Sequence, residues 1–186
     1  GPEKTLGYPL KPALTRTSAG RQTLIGMMVT GTFSGYSVIG GTSGMFYDAE
    51  ISKDSFITAA GGTASLKIYG LSSGAAYQLS IYATGTDSDG AYGRVTRYQV
   101  GGSYADLNAY NNVSTRAVVS GTADADGTLT LQVMPKPGST TRYGMISALE
   151  ITLNTANQAP VAVNDAVTMS SRSEEHTSEL QSPNCI

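Results

Sequence analysis

Two short segments of alternating apolar and polar residues constrain the fold of this chain more than any other feature. In residues 63–71, Leu66 and Ile68 alternate with polar neighbours, and residues 75–82 repeat the same pattern. A period of two residues is typical of strands with one buried face. Residues 72–74, Ser-Ser-Gly, have the composition of a turn. The sequence therefore predicts an antiparallel β-hairpin against which the later segments pack.

Further strand-sized segments follow along the chain, separated by Gly-rich stretches. We expect about eight strands and no helix; the predicted strands include residues 23–30, 63–71, 75–82, 94–100, 115–120, 127–134 and 142–153. Residues 84–93 and 101–112 are rich in Gly, Asp and Asn and are predicted to be loops. Many short strands with Gly-rich turns are typical of an all-β sandwich, and a jelly roll is the preferred topology.

The last residues of the chain are predicted to be foreign to the protein. Residues 172–186 look like translated sequencing adapter, which indicates an assembled environmental or draft-genome fragment. They contain the only His, His176, and the only Cys, Cys185. Without them Lys+Arg falls from 12 to 11 and Asp+Glu from 14 to 11, so the formal net charge becomes 0. A neutral chain with only strand-sized apolar runs predicts neither nucleic acid nor a membrane as partner.

Catalysis is not expected from the remaining residues. With His176 and Cys185 set aside, neither a Ser-His-Asp or Cys-His site nor a His-based zinc site can form. Several Asp and Glu residues could supply a glycosidase pair, but their spacing selects none. The sequence therefore predicts no catalytic residue.

A carbohydrate site needs aromatic faces for sugar rings and polar side chains for their hydroxyls. Because Trp is absent, Tyr must supply the aromatic faces. Residues 87–94 and 104–112 hold this mixture, and their candidate ligand-binding residues are Tyr92, Arg94, Tyr104, Asp106, Asn108, Tyr110 and Asn112. Packing within the loops is the alternative role of Tyr104 and Tyr110. The tyrosines on predicted strands are expected in the core or on a sheet face.

Two Asp-x-Asp-Gly stretches raise the question of calcium. A hard cation prefers several oxygen ligands from one loop, but Asp-Gly is also common in tight turns. Asp124 and Asp126 directly precede a predicted strand and are therefore assigned to a turn. Asp87 and Asp89 are candidate metal ligands, and a tight turn is the alternative interpretation of their stretch.

Residues 154–165 resemble the joint that opens cadherin-like and Ig-like repeats of large bacterial extracellular proteins. The resemblance implies a module boundary near Asn154 and covalently linked neighbouring modules. The predicted organisation is an extended lead-in (1–22), a sandwich module (23–153), a linker with a truncated next module (154–171) and the adapter-derived tail (172–186).

The central part of the chain carries a succession of motifs: the Tyr and Leu pattern of residues 68–82, Tyr98-x-Val-Gly-Gly, Asn111-Asn112, and the patterns of residues 126–133 and 146–151. This succession resembles the galactose-binding-like jelly-roll modules of secreted bacterial proteins. It implies a non-catalytic carbohydrate-binding module of a secreted or cell-surface bacterial protein. It also implies one structural Ca²⁺, with Glu50 and Glu150 as conceivable ligands.

A structural spacer or adhesin module is the alternative function, favoured by the repeat-like joint after Asn154. The two functions differ in where they place tyrosine. A binding module should expose Tyr beside hydrogen-bonding side chains, whereas a spacer should bury or isolate it.

Overall fold

The computed structural model describes residues 13–16, 22–37, 52, 54–86 and 93–154. Within them the strands are β1 (Ala13–Arg16), β2 (Gln22–Gly31), β3 (Gly35–Ser37), β4 (Ser55–Ala59), β5 (Ala64–Tyr69), β6 (Ala76–Tyr82), β7 (Val95–Val100), β8 (Ser103–Asn108), β9 (Ala117–Thr122), β10 (Leu129–Pro135), β11 (Tyr143–Ile146) and β12 (Ala148–Leu153). In this described part, no helix has the length and apolar character needed to cross a membrane.

The described residues belong to one compact unit, Gly1–Thr155. The second unit, Ala156–Ile186, lies outside the described residues. The linker, the truncated module and the adapter-derived tail therefore stay predictions.

The strands form three antiparallel sheets. One has six strands in the order β1-β2-β5-β10-β7-β8, and two have three strands each, β12-β6-β9 and β11-β4-β3. The chain passes from the six-stranded sheet to β6 and back to β7, and again from β8 to β9 and back to β10. This repeated crossing between sheets confirms the predicted all-β sandwich of jelly-roll type.

The core lies between the six-stranded sheet and the sheet of β6, β9 and β12. Buried residues alternate along β5, along β6 as far as Ile81 and along β10 as far as Val133, as the sequence pattern predicted. Ile68 and Leu131 come from one sheet and Leu79 and Ile81 from the other, and all four are fully buried in one apolar cluster. Burial of these faces is the main stabilising contribution to such a sandwich.

The predicted hairpin of residues 63–71 and 75–82 is wrong in its pairing, although both strands exist. β5 pairs with β2 and β10, whereas β6 pairs with β9 and β12. The connecting residues bond to the turn before β10 instead: Leu71 N–H donates to the Gly127 carbonyl at 3.0 Å, and Gly74 N–H to the Ala123 carbonyl at 3.1 Å. The two strands therefore face each other across the core.

The single strand predicted at residues 142–153 is two strands in different sheets. β11 pairs with β4, and β12 pairs with β6. The break lies at Ser147, whose N–H donates to the Tyr82 carbonyl at 2.9 Å and whose hydroxyl lies 2.6 Å from that of Ser55. These bonds hold the chain where it changes sheet, a step that an apolar pattern cannot reveal.

The loop predicted at residues 101–112 is also corrected. Its first part is strand β8, which pairs with β7 through a tight turn at Gly101 and Gly102. Gly101 has a φ of 55°, a conformation that glycine adopts without a Cβ penalty. The polar composition that suggested a loop belongs instead to an exposed strand at the sheet edge.

Candidate functional site

The β7–β8 hairpin brings predicted site residues onto one face of the sheet. On β7, Thr96, Tyr98 and Val100 are buried, so Arg97 and Gln99 between them point away from the core. Arg97 lies opposite Asp106, and Gln99 lies opposite Tyr104. Directly opposed residues of an antiparallel pair share a face. The hairpin therefore presents these four side chains together on its outer surface.

Four residues, Arg97, Tyr104, Asp106 and Lys136, form what we call the outer-face cluster. Arg97 holds Asp106 through two parallel bonds, Nε to Oδ1 at 2.8 Å and Nη2 to Oδ2 at 3.0 Å. Lys136 Nζ lies 3.4 Å from Asp106 Oδ2. The Arg97 guanidinium carbon lies 3.9 Å from the centre of the Tyr104 ring. The two-point ion pair and the cation–π contact fix the guanidinium plane, and with it the cluster.

Tyr104 stays accessible within this cluster. It is 58% exposed although the guanidinium lies against its ring. Tyr77, Tyr82 and Tyr98, in contrast, are buried in strands as predicted. The Tyr98 hydroxyl donates to the Met145 carbonyl, and burial raises its pKa well above the usual value. The tyrosines therefore divide into a core set and an exposed residue beside charged groups.

The charges of the cluster are stable near neutral pH. The Arg97 hydrogen bonds hold the pKa of Asp106 below its usual value, and Lys136 acts in the same direction. The Asp106 carboxylate in turn raises the pKa of Arg97. Asp106 therefore remains an acceptor, and Arg97 remains a donor.

Two amide side chains extend this surface. Asn108 follows Asp106 by two residues on β8 and so lies on the same face. Its Oδ1 accepts a bond from Tyr110 N–H at 3.1 Å. Gln99 Nε2 donates to the Gly101 carbonyl at 2.9 Å. Both amides add hydrogen-bonding groups to the outer face of the hairpin.

Asn112, another predicted ligand-binding residue, lies inside the protein. Its Nδ2 donates to the carbonyls of Ala83 at 2.9 Å and Thr115 at 2.7 Å. Its Oδ1 accepts from the N–H groups of Ser114 at 3.3 Å and Thr115 at 2.9 Å. Its own carbonyl accepts from the Tyr82 hydroxyl at 2.7 Å. Through these bonds the Asn112 side chain stabilises its own loop.

The other predicted ligand-binding residues have contacts elsewhere. Arg94 lies 5.1 Å from the centre of the Tyr143 ring, and its Nη1 lies 3.7 Å from Met145 Sδ. Tyr110 is 39% exposed and forms an isolated bridge with Gly85. Tyr92 lies outside the described residues. Of the predicted set, the hairpin therefore gathers Tyr104, Asp106 and Asn108.

Most of the predicted calcium ligands, Glu50, Asp87 and Asp89, lie outside the described residues. Glu150 lies on β12, where its Oε2 is 2.8 Å from Arg116 Nη1. Across the described ranges, no group of three His, Cys, Asp or Glu side chains could hold a metal ion. Glu150 therefore does not fit a calcium site formed by described residues alone.

Asp124 has the turn role that the sequence suggested. Its Oδ1 accepts from the N–H groups of Asp126 at 3.0 Å and Thr128 at 2.8 Å, and its Oδ2 accepts from the Thr128 hydroxyl at 2.6 Å. The Thr128 bonds lower the pKa of Asp124. The carboxylate thus stabilises the turn that leads into β10.

Sequence reasoning missed Arg97 and Lys136. The alternation of residues 94–100 allowed either Val95 or Tyr98 to face the core. Choosing Tyr98 would have placed Arg97 outward, but its partner Asp106 was assigned to a loop. Lys136 follows the Pro135 that ends β10, and nothing in the local sequence points to its contact with β8.

Comparisons with known proteins give distant structural likenesses. No family model and no curated protein sequence matches the chain. Among solved structures, a CBM35 from Cellvibrio japonicus Abf62 matches with 17% identity and a TM-score of 0.36, over 68% of this chain and 92% of that one. An exo-β-1,3-galactanase from Phanerochaete chrysosporium, solved with β-1,3-galactotriose, matches with 14% identity and a TM-score of 0.38, over 74% of this chain and 32% of that one. The function has to be inferred from the residues of the site.

Proposed function

We propose that the chain is a non-catalytic carbohydrate-binding module of a larger secreted or cell-surface bacterial protein. The outer-face cluster contacts the glycan, and neighbouring modules are linked covalently. The observation that carries the proposal is the exposed Tyr104 ring, held beside the bidentate Arg97–Asp106 pair.

The chemistry of the cluster suits a sugar. A tyrosine ring offers an apolar face for the C–H surface of a pyranose and a hydroxyl for hydrogen bonding. Arg97 and Lys136 supply donors, and the Asp106 carboxylate, which accepts from Arg97 and lies beside Lys136, holds both cations at the ring. Because the ion pair already fixes Arg97, little side-chain entropy remains to be lost when a ligand binds.

The same geometry argues against glycoside hydrolysis at this face. A glycosidase needs two carboxyl groups flanking the bond, one of them protonated at working pH. Asp106 is the single carboxyl group of the cluster, and Arg97 keeps its pKa low. It cannot act as a general acid near neutral pH. This supports binding without catalysis.

The experiment that tests the proposal is a glycan array followed by a polysaccharide pull-down with the full chain. Tyr104→Ala should lower the affinity for the retained glycan at least about tenfold, or ~1.4 kcal/mol. Tyr36→Ala is the matched control, because Tyr36 is 60% exposed on a different sheet. Its affinity should equal that of the wild type.

Two results would contradict the proposal. Retention of no glycan by the folded protein would favour the spacer or adhesin function. Equal affinities of Tyr104→Ala and the wild type would exclude the outer-face cluster as the binding site, whatever glycan is retained.

A further inference from the structure

A groove opens at the tip of the β7–β8 hairpin, and its lining also includes the start of β10 and residues of β6 and β9 in the facing sheet. The pairing of β7 with β10 ends at Gln99 and Gln132. The pairing of β7 with β8 continues to the end of β7, where Val100 pairs with Ser103. β10 meanwhile continues along β5 to Leu129. The tip of the β7–β8 hairpin therefore leaves β10 while both strands remain held from their other sides.

The gap is a groove of about 570 Å³. Its apolar lining includes Val100, Gly121 and Leu129. A Cβ at Gly121 would lie 2.3 Å from Val100 Cγ1, so the close approach at this point requires glycine. The volume is within the range of ordinary ligand sites, roughly 300–1,000 Å³.

The polar lining of the groove consists mainly of hydroxyl groups. They belong to Ser103, Ser120, Thr122 and Thr130, whereas the Thr128 hydroxyl already donates to Asp124. The one carboxylate in the lining, that of Asp124, already accepts three bonds within its own turn. A hydroxyl both donates and accepts hydrogen bonds, so this lining suits an uncharged ligand that carries hydroxyl groups.

The groove and the outer-face cluster lie on the same hairpin. Ser103 in the groove directly precedes Tyr104 in the cluster, so their side chains point to opposite faces of β8. A glycan that contacts both therefore passes over the turn at Gly101 and Gly102. Gln99, which lies opposite Tyr104, bonds to the carbonyl of Gly101 in the groove lining. From Asp106 to Gly102 the strand runs about 13 Å, at roughly 3.3 Å per residue. This span is longer than a single sugar ring.

We propose that the groove is a second subsite for the glycan that contacts Tyr104. The module then binds an internal stretch of a neutral oligosaccharide chain, not a single sugar or a chain end. This inference rests on the proposed function, because the first subsite is the outer-face cluster.

The test is isothermal titration of the full chain with oligosaccharides of increasing length, taken from the glycan that the array identifies. Wild-type affinity should rise at least about tenfold between the disaccharide and the pentasaccharide. Gly102→Leu adds a bulky side chain to the groove lining, and a Cβ at this position meets no atom within 4 Å, so the variant should fold. Thr130→Val removes one hydroxyl while keeping the branched shape.

Both groove variants should lose most of the gain with chain length and keep the wild-type affinity for the disaccharide. Thr152→Val is the matched control, since Thr152 is an exposed threonine on β12 outside the groove. It should titrate like the wild type at every length.

The outcomes separate the two proposals. The groove subsite would be overturned if the affinity of the wild type did not rise beyond the disaccharide. It would also be overturned if Gly102→Leu showed the same rise in affinity with chain length as the wild type. Loss of disaccharide binding in Tyr104→Ala would in either case still support the outer-face cluster. Failure of every glycan to bind would overturn both.

Discussion

Asn112 gives the sharpest test of the site assignment, because the sequence predicted a ligand contact and the structure gives it a supporting role. Its side chain joins the backbone at Ala83, at the end of β6, to the backbone of Ser114 and Thr115. Asn112→Ala removes these bonds and leaves backbone groups without their partner. We expect lower folding stability and unchanged glycan contacts.

The magnitude follows from the three shortest of these bonds, which join Asn112 to the Ala83 carbonyl and to both backbone groups of Thr115 at 2.7–2.9 Å. A net contribution of about 1 kcal/mol for each gives a loss of about 3 kcal/mol in the free energy of unfolding. For a domain of this size, 1 kcal/mol lowers the melting temperature by about 2–4 °C. Asn112→Ala should therefore melt about 6–12 °C below the wild type.

The assay is thermal and urea unfolding followed by circular dichroism, with glycan titration well below the melting temperature. For stability alone, Asn108→Ala is the matched control, because Asn108 is exposed and its side chain bonds to Tyr110 N–H. Its loss of stability should stay under about 1 kcal/mol. An Asn112→Ala protein that melts within about 2 °C of the wild type but no longer binds glycan would refute the reasoning.

Asn112→Asp adds a check on the direction of the bonds. The aspartate keeps an acceptor for the N–H groups but turns its second oxygen toward the carbonyls of Ala83 and Thr115. Burial beside these oxygens disfavours the charged form and raises the carboxyl pKa. The variant should be at least as unstable as Asn112→Ala at neutral pH. Its deficit should shrink as the pH falls through the raised pKa.

Three further predictions concern the turns, the ion pair and calcium. Gly127 and Gly74 both have φ near 70°. A Cβ at Gly127 would lie 2.3 Å from the Leu71 carbonyl oxygen, whereas a Cβ at Gly74 would meet no atom within 4 Å. In urea unfolding, Gly127→Ala should therefore be less stable than Gly74→Ala by at least about 1 kcal/mol, and equal losses would contradict this steric argument. Because Arg97 holds the pKa of Asp106 below its usual 3.8, the stability that this pair contributes should be present at neutral pH and lost as the pH falls through the lowered pKa. The difference in melting temperature between the wild type and Asp106→Asn should therefore shrink in that pH range. A difference that stays constant down to about pH 2 would contradict this argument. Excess calcium should raise the melting temperature relative to EDTA if the predicted structural ion binds, and identical melts would oppose it.

The strands themselves could be predicted from the sequence, because alternation reports directly which face of a strand is buried. Residues 63–71 and 75–82 were both identified correctly as strands with apolar inner faces. Their pairing could not be predicted, since the same pattern suits two strands side by side in one sheet or face to face across a core. The difference lies in bonds such as Leu71 N–H to the Gly127 carbonyl, which join distant parts of the chain.

Part of the candidate site could be predicted for a chemical reason. Tyr104 and Asp106 were selected as residue types that recognise sugars, and the structure places them together. Arg97 was missed because its position depends on the register of β7 against β8, which local sequence leaves open. Asn112 shows the converse, since an amide suited to a sugar hydroxyl is equally suited to peptide groups inside a loop.

The location of the outer-face cluster allows one rival explanation that is purely structural. Among the described strands, β8 is an edge of the six-stranded sheet, and charged side chains at such edges prevent pairing with another molecule. Edge protection would need the charges of Asp106 and Lys136 but not the Tyr104 ring. Asp106→Ala should then increase association at high concentration in sedimentation experiments, whereas Tyr104→Ala should keep the wild-type sedimentation and lose glycan affinity. If Tyr104→Ala also associates, the tyrosine covers the edge, and its exposure no longer supports a binding site.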